Sequence, residues 1–144
     1  MDYYKEQNHI HPSSAGFILN DDNTKIFLIK RGTEPYRGLW MMPGGHIKIE
    51  ETAEECLKRE IMEETGFDIK IDKLFNVYSA IDQDPRHRAL VIFYVTHING
   101  EENQKFMPNI EAQEGKWFDI MQVPEELAFH HRRILNDFIV SLNK

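Results

Sequence analysis

Glu60, Glu63 and Glu64 stand at i, i+3 and i+4, with Arg59 beside them and Glu51 upstream. On a helical wheel of roughly 100° per residue, Ala53, Cys56, Leu57 and Ile61 form an apolar stripe. Glu60 and Glu64 project along that same stripe, and Glu63 sits at its edge. A simple amphipathic helix keeps its carboxylates on the wet face instead. Like charges at this spacing repel, and a helix C-terminus adds to the cost. A positive partner must offset it. A hard divalent cation with oxygen ligands would do so, because Mg²⁺ prefers carboxylates, waters and phosphates. Arg59 offers a second positive partner, pairing with a neighbouring acid. From helix geometry alone, a solvated acidic helix with an imperfect stripe stays open as the alternative.

The segment Gly45 to Phe67 reads GHIKIEETAEECLKREIMEETGF. It resembles the Nudix box, whose pattern is Gly, five residues, Glu, seven residues, then Arg-Glu-apolar-x-Glu-Glu-x-Gly-apolar. Gly45, Glu51, Arg59, Glu60, Ile61, Glu63, Glu64, Gly66 and Phe67 fall on its specified positions. Phe67 departs mildly, since a smaller aliphatic residue is commoner there.

The resemblance implies an α/β fold: a Nudix-like α/β/α sandwich with a central mixed sheet and a loop–helix–loop catalytic motif. It also implies that Glu60, Glu63 and Glu64 coordinate Mg²⁺, with Mn²⁺ possible, joined by backbone from the Gly44-Gly45 turn. Glu51 and Arg59 would orient the loop and the ligands. A further acid from a later loop supplies a ligand or a general base in such proteins. Glu111 and Glu114 are the candidates, and Glu111 is favoured by its distance before Trp117.

The elements that must position these groups can be read from periodicity and turn chemistry. Apolar runs Ser14 to Leu19 and Lys25 to Lys30 flank Asn20-Asp21-Asp22-Asn23, which predicts a hairpin. Arg31 to Pro43 reads as irregular, and Gly44-Gly45 permits a sharp turn. Thr52-x-x-Glu55 is a capping-box signature for a helix from Ala53 to Thr65, with Gly66 ending it. β-rich runs follow at about Asp68 to Ser79 and Ala89 to Ile98, around the polar loop Asp82 to Arg88. Asn99 to Gln113 reads as loop, Gly115 to Ile120 as a last short strand, and Pro124 to Leu142 as a helix with one apolar stripe. No repeat or linker divides the chain, so a single domain over residues 1–144 is expected.

Composition sets outer bounds. The chain of 144 residues is 41% hydrophobic and 28% charged, which places it among ordinary globular proteins rather than disordered ones. A formal net charge of −7 disfavours a nucleic-acid coat or an anionic membrane surface and makes a bridging cation welcome. Met1 to Ile10 has no apolar core of a secretory signal, so the cytoplasm is the expected compartment. No run is long enough to span a bilayer. The single Cys56 builds neither a disulfide nor a cysteine metal site and reads as a small buried side chain. No Ser/His/Asp arrangement is evident.

The flanking segments bear on substrate. Lys30 to Gly45, then Val77-Tyr78-Ser79 with Asp84-Pro85-Arg86, resemble small ADP-ribose pyrophosphatases of that family. Leu127-Ala128-Phe129-His130-His131 is similar to a Leu-Ala-Phe-Asp-His motif of ADP-ribose-handling members, with His130 where the motif has an acid. Tyr36, Trp40 and Phe129 are candidates to stack on an adenine, and Arg31, Arg86 or Arg88 to meet phosphates. Ordinary packing is the plainer reading for each aromatic, and a solvated charge for each arginine. His87, His130 and His131 read as structural or exposed, without zinc-ligand spacing.

The resemblance thus implies Mg²⁺-dependent hydrolysis of a nucleoside diphosphate compound, ADP-ribose foremost, yielding AMP and ribose 5-phosphate. Two alternatives stand beside it. One is a pyrophosphohydrolase cleaning oxidised or non-standard nucleoside triphosphates. The other is a non-catalytic ligand-sensing Nudix domain, against which the intact glutamates and the lack of an appended DNA-binding segment speak. A small-molecule nucleotide is the expected partner, with no nucleic acid or membrane, and a homodimer is expected by family analogy.

Overall fold

The computed structural model describes residues 9–100 and 104–144. Residues 1–8, read above as lacking a signal, and 101–103, within the stretch read as loop, lie outside the described residues. Among the described residues, seven strands and two helices follow the order β1 (His11–Leu19), β2 (Lys25–Arg31), β3 (Trp40–Met41), β4 (Gly44–His46), α1 (Ala53–Thr65), β5 (Ile69–Tyr78), β6 (Ala89–Ile98), β7 (Ala112–Asp119) and α2 (His131–Leu142). The sheet runs β3-β2-β1-β6-β5, with β4 paired to β1 and β7 paired to β2. β1 pairs parallel with β6 and antiparallel with β2, so the sheet is mixed as expected.

Alternation along the strands divides the core between the two faces. Phe17, Leu19, Ile26, Leu28, Phe93 and Val95 cluster with Ile134, Leu135 and Phe138 of α2. Ile18, Phe27, Ile29 and Tyr94 cluster with Leu57 and Ile61 of α1 and with Phe67. Each helix therefore covers one face, and the α/β/α sandwich stands. No helix among the described residues is long and apolar enough to cross a membrane.

Gly44-Gly45, read as a sharp turn, instead pairs with Ala15 and Ser14 as part of β4. Four boundaries also differ from the sequence reading. β1 starts at His11, because its backbone continues the parallel ladder from His11 opposite Ala89. The segment 31–43 is not wholly irregular: β3 forms where Lys30 and Ile29 pair with Trp40 and Met41. β7 starts at Ala112 rather than Gly115, since its ladder with β2 reaches Arg31 across a bulge. α2 starts at His131, not Pro124. The stretch before it is held in irregular form by Arg132, whose guanidinium donates to the carbonyls of Val123, Pro124 and Glu125.

Candidate active site

The helix that carries the glutamates is fixed at both ends by its own sequence. Thr52 caps α1 by accepting from the Glu55 amide at 3.1 Å, while the Glu55 carboxylate accepts from the Thr52 amide at 2.8 Å. Gly66 closes the helix in the left-handed region at φ 82°, where a side chain would be strained. Leu57 and Ile61 bury against the sheet, and this fixes the rotation of the helix. That rotation carries Glu64, one turn beyond Glu60, into the protein, where only 6% of it stays exposed.

Three carboxylates converge. Glu60, Glu64 and Glu111 each offer an oxygen, and these oxygens lie within 4.8 Å of one another. The Glu64 carboxylate accepts from the Gly44 amide at 3.0 Å. Burial, then the neighbouring Glu60 charge, holds the Glu64 carboxyl well above the usual carboxylate range. Burial also raises Glu60, although Arg59 opposes the shift. Gly45 lies over this cluster so closely that a Cβ there would collide with the Glu60 carboxylate. A side chain at position 45 would therefore push the Glu60 carboxylate out of the place it holds here. Clustered, partly desolvated carboxylates are the donor set of a hard divalent cation, and the residues fit one.

Arg59 organises the surroundings. It donates to Glu51 at 2.6 and 2.9 Å, to Glu60 at 2.9 Å and to Glu63 at 3.3 Å. It also reaches the His46 carbonyl at 3.1 Å. The Arg59 hydrogen bonds hold the Glu51 carboxyl down at about 2. Arg59 thus links Glu51 to Glu60, one of the clustered carboxylates. Glu63 is exposed and turned to Arg59, and it does not join the carboxylate cluster. Glu114 pairs with Lys30 at 3.5 Å on β7, which leaves Glu111 as the later-loop acid in the cluster.

Asn109 was missed by sequence reasoning. Its side-chain amide donates to the Glu64 carbonyl at 2.9 Å, and its oxygen accepts from the Glu111 and Ala112 amides at 3.0 Å. It ties the end of α1 to the turn that presents Glu111. A polar residue in a low-hydrophobicity loop carries no periodicity that would have singled it out.

A cleft of about 420 Å³ opens beside the carboxylates, and its lining includes Arg31, Arg86, Phe129 and His130. The guanidinium of Arg31 lies 5.0 Å from the Phe129 ring centre, and that of Arg86 lies 5.6 Å from it. Asp84 accepts from both the amide and the guanidinium of Arg86. Phe129 holds φ at 53°, and Tyr36, whose ring meets it edge-on at 4.9 Å, holds φ at 63°. Side chains so rarely adopt this region that both conformations must be held by their packing.

Two stacking candidates are corrected. Tyr36 sits behind Phe129 rather than on the cleft wall. Trp40 packs edge-on against Phe118 at 5.0 Å, drawn there by β3 pairing. Arg88 turns to the Ser79 carbonyl and anchors its own loop. His131 is structural: its Nδ1 accepts from the Met42 amide at 3.0 Å, and burial lowers its pKa to about 3. Cys56 is buried, its thiol donating to the Gly45 and His46 carbonyls at 3.4 Å.

Comparison with known proteins adds independent observations. The pattern of the NUDIX domain matches residues 10–138. The chain is 36% identical over 138 residues to an ADP-ribose pyrophosphatase of Methanocaldococcus jannaschii, covering 96% of this chain and 79% of that protein. It is 32% identical over 102 residues to an 8-oxo-dGTP diphosphatase of Proteus vulgaris, covering 70% of this chain and 87% of that one. Among solved structures, a MutT NUDIX hydrolase from Burkholderia pseudomallei superposes with a TM-score of 0.73 at 28% identity, covering 89% of this chain and 97% of that one.

Proposed function

The chain belongs to the Nudix hydrolase family, and from that premise we propose that it hydrolyses ADP-ribose to AMP and ribose 5-phosphate with Mg²⁺ as the cation. The observation that carries the chemistry is the convergence of Glu60, Glu64 and Glu111 beside Gly44 and Gly45 of β4. Those three carboxylates and the Gly44-Gly45 backbone would hold the cation, with Glu63 close by on the same helix. When bound, Mg²⁺ supplies charge neutralisation at the pyrophosphate and a lower pKa for water.

The remaining work falls to side chains. Arg31 and Arg86, stacked on Phe129, offer guanidinium groups to the phosphates, and planar forks suit phosphate oxygens. We assign proton acceptance from the attacking water to a carboxylate oxygen of Glu111, the exposed member of the cluster, whereas Glu64 is buried. The ring of Phe129 and the walls beyond it would exclude water from the reacting phosphates.

A second reading, hydrolysis of an oxidised or non-standard nucleoside triphosphate, is favoured by the likeness to the 8-oxo-dGTP diphosphatase. Both readings use one apparatus, so the products decide. Assays with Mg²⁺ on ADP-ribose, nucleotide sugars, dinucleotides and triphosphates, with product identification, separate them. AMP with ribose 5-phosphate as the leading products supports the first reading. Pyrophosphate release from a triphosphate as the leading reaction replaces it with the second. Pairing of two chains is a further part of the proposal, and light scattering on the purified protein tests it.

A further inference from the structure

Beyond the carboxylates, a second group of metal-ligating side chains stands at the rim of the cleft. His11 opens β1, His46 ends β4, and His87 lies in the loop between β5 and β6. Each offers one ring nitrogen, and the three nitrogens lie within 4.8 Å of one another. The rings are mutual neighbours, with centres 4.2 Å apart for His11 and His87, 4.9 Å for His46 and His87, and 5.8 Å for His11 and His46.

We propose that His11, His46 and His87 form a second metal site, one that takes Zn²⁺ through three imidazole nitrogens and is separate from the carboxylate cluster. Two imidazole nitrogens on a tetrahedral zinc ion sit roughly 3.3 Å apart, given Zn–N distances of about 2.0–2.1 Å. The Nε2 atoms of His46 and His87 already stand 3.2 Å apart. Small ring rotations bring the third nitrogen into the same shell.

The hydrogen bonding of the cluster points the same way. His46 and His87 can satisfy each other with one shared proton. The Nε2 of His11 is then buried with no hydrogen-bond partner among the described residues. A buried polar atom left unpaired calls for an occupant, and an ion supplies one. The His87 side chain is 7% exposed, so the floor of the site is built and not a chance surface meeting. His46 is exposed, which leaves a path for the ion. The Asp84 carboxylate lies 3.5 Å from the His87 Nε2 and adds negative charge beside the site.

Ligand chemistry separates the two centres. Nitrogen donors select zinc and its late first-row neighbours, whereas Mg²⁺ keeps to oxygen. An ion here would join the strand leading from Gly45 to the loop that carries Asp84 and Arg86. It would brace one wall of the cleft without touching Glu60, Glu64 or Glu111.

The test is titration of Zn²⁺ into the metal-stripped full chain, without a polyhistidine tag, against a chromophoric chelator and in excess Mg²⁺. Wild type is expected to bind one Zn²⁺ that Mg²⁺ does not displace. His46→Gln, at an exposed position, is expected to weaken it by more than about 100-fold, beyond the 10–100-fold typical of outer-shell partners. The Glu60→Gln, Glu64→Gln double variant is expected to keep it. Co²⁺ in place of Zn²⁺ should give the visible absorption of a four-coordinate ion in wild type and lose it in His46→Gln. Zn²⁺ binding unchanged in His46→Gln, or lost in the carboxylate double variant, would overturn the proposal. So would the absence of any zinc that survives Mg²⁺.

Discussion

At the residue scale, Glu64 holds two opposed demands. Its carboxylate is buried and stands beside Glu60, so its charge is disfavoured, yet metal binding needs that charge. The protein without a cation therefore stores a penalty that cation binding relieves. Mg²⁺ at about 100 times its Kd is expected to raise unfolding stability by about 2.7 kcal/mol, measured by denaturant melts with and without the ion. Glu51 shows the reverse case. Arg59 holds it at about 2, against an ordinary value of 4.5. A carboxyl lowered on folding contributes stability above its unfolded value and loses it as pH falls through the folded one. Wild type should lose thermal stability across that acid window, and Glu51→Gln should show a flatter limb there. The same variant removes the charged partner that takes two of the Arg59 hydrogen bonds and should lower turnover by about 10–100-fold, as removal of an outer-shell partner does. The glutamates and Arg59 were legible because helix spacing encodes their neighbourhood. Glu63 was not resolved that way, since only the lean of Arg59 decides which acids it takes.

At the scale of elements, the catalytic helix was legible to its ends, because Thr52, Glu55 and Gly66 are local signals. The start of α2 was not. Its apolar stripe extends back to Leu127, but the contacts of Arg132 with carbonyls at 123–125 and the Ala128 amide on the Trp40 carbonyl keep that stretch from winding. Long-range lashings were equally hidden. Asn109 joins α1 to the Glu111 turn across 45 residues of chain. Asn109→Ala is expected to cost about 1–3 kcal/mol through the amides and carbonyl left unpaired, read by denaturant melts. It should also lower kcat through misplacement of Glu111. Glu111→Gln and Glu114→Gln form a matched pair of variants in the same loop and strand. The first should depress kcat strongly. The second breaks only an exposed pair with Lys30, for which such bridges contribute about 0–1 kcal/mol, and should leave kcat unchanged.

For the whole molecule, the interleaving of strands with two helices made a sheet covered on both faces legible in advance, and the structure fills the two faces with separate clusters. Part of the face under α2 borders the cleft through Phe93 and Ile134, but Phe17 and Phe138 lie outside its lining. Phe138 stacks there on Phe17 at 4.3 Å, so Phe138→Ala should cost about 3–5 kcal/mol while kcat of the folded fraction holds. What the pattern could not convey was how the segments around the cleft close. Phe129 is gripped between Arg31 and Arg86, residues 98 and 43 positions away, and Trp40 is taken out of the cleft by a two-residue strand. The central claim is that ADP-ribose is cleaved at the carboxylate cluster of this sandwich. The most direct measurement compares wild type and Glu64→Gln on ADP-ribose with Mg²⁺, following AMP and ribose 5-phosphate. Formation of both products by wild type and a loss of more than about 100-fold in the folded variant, beyond the effect of an outer-shell change, is the predicted result. Equal turnover by the two proteins would contradict it.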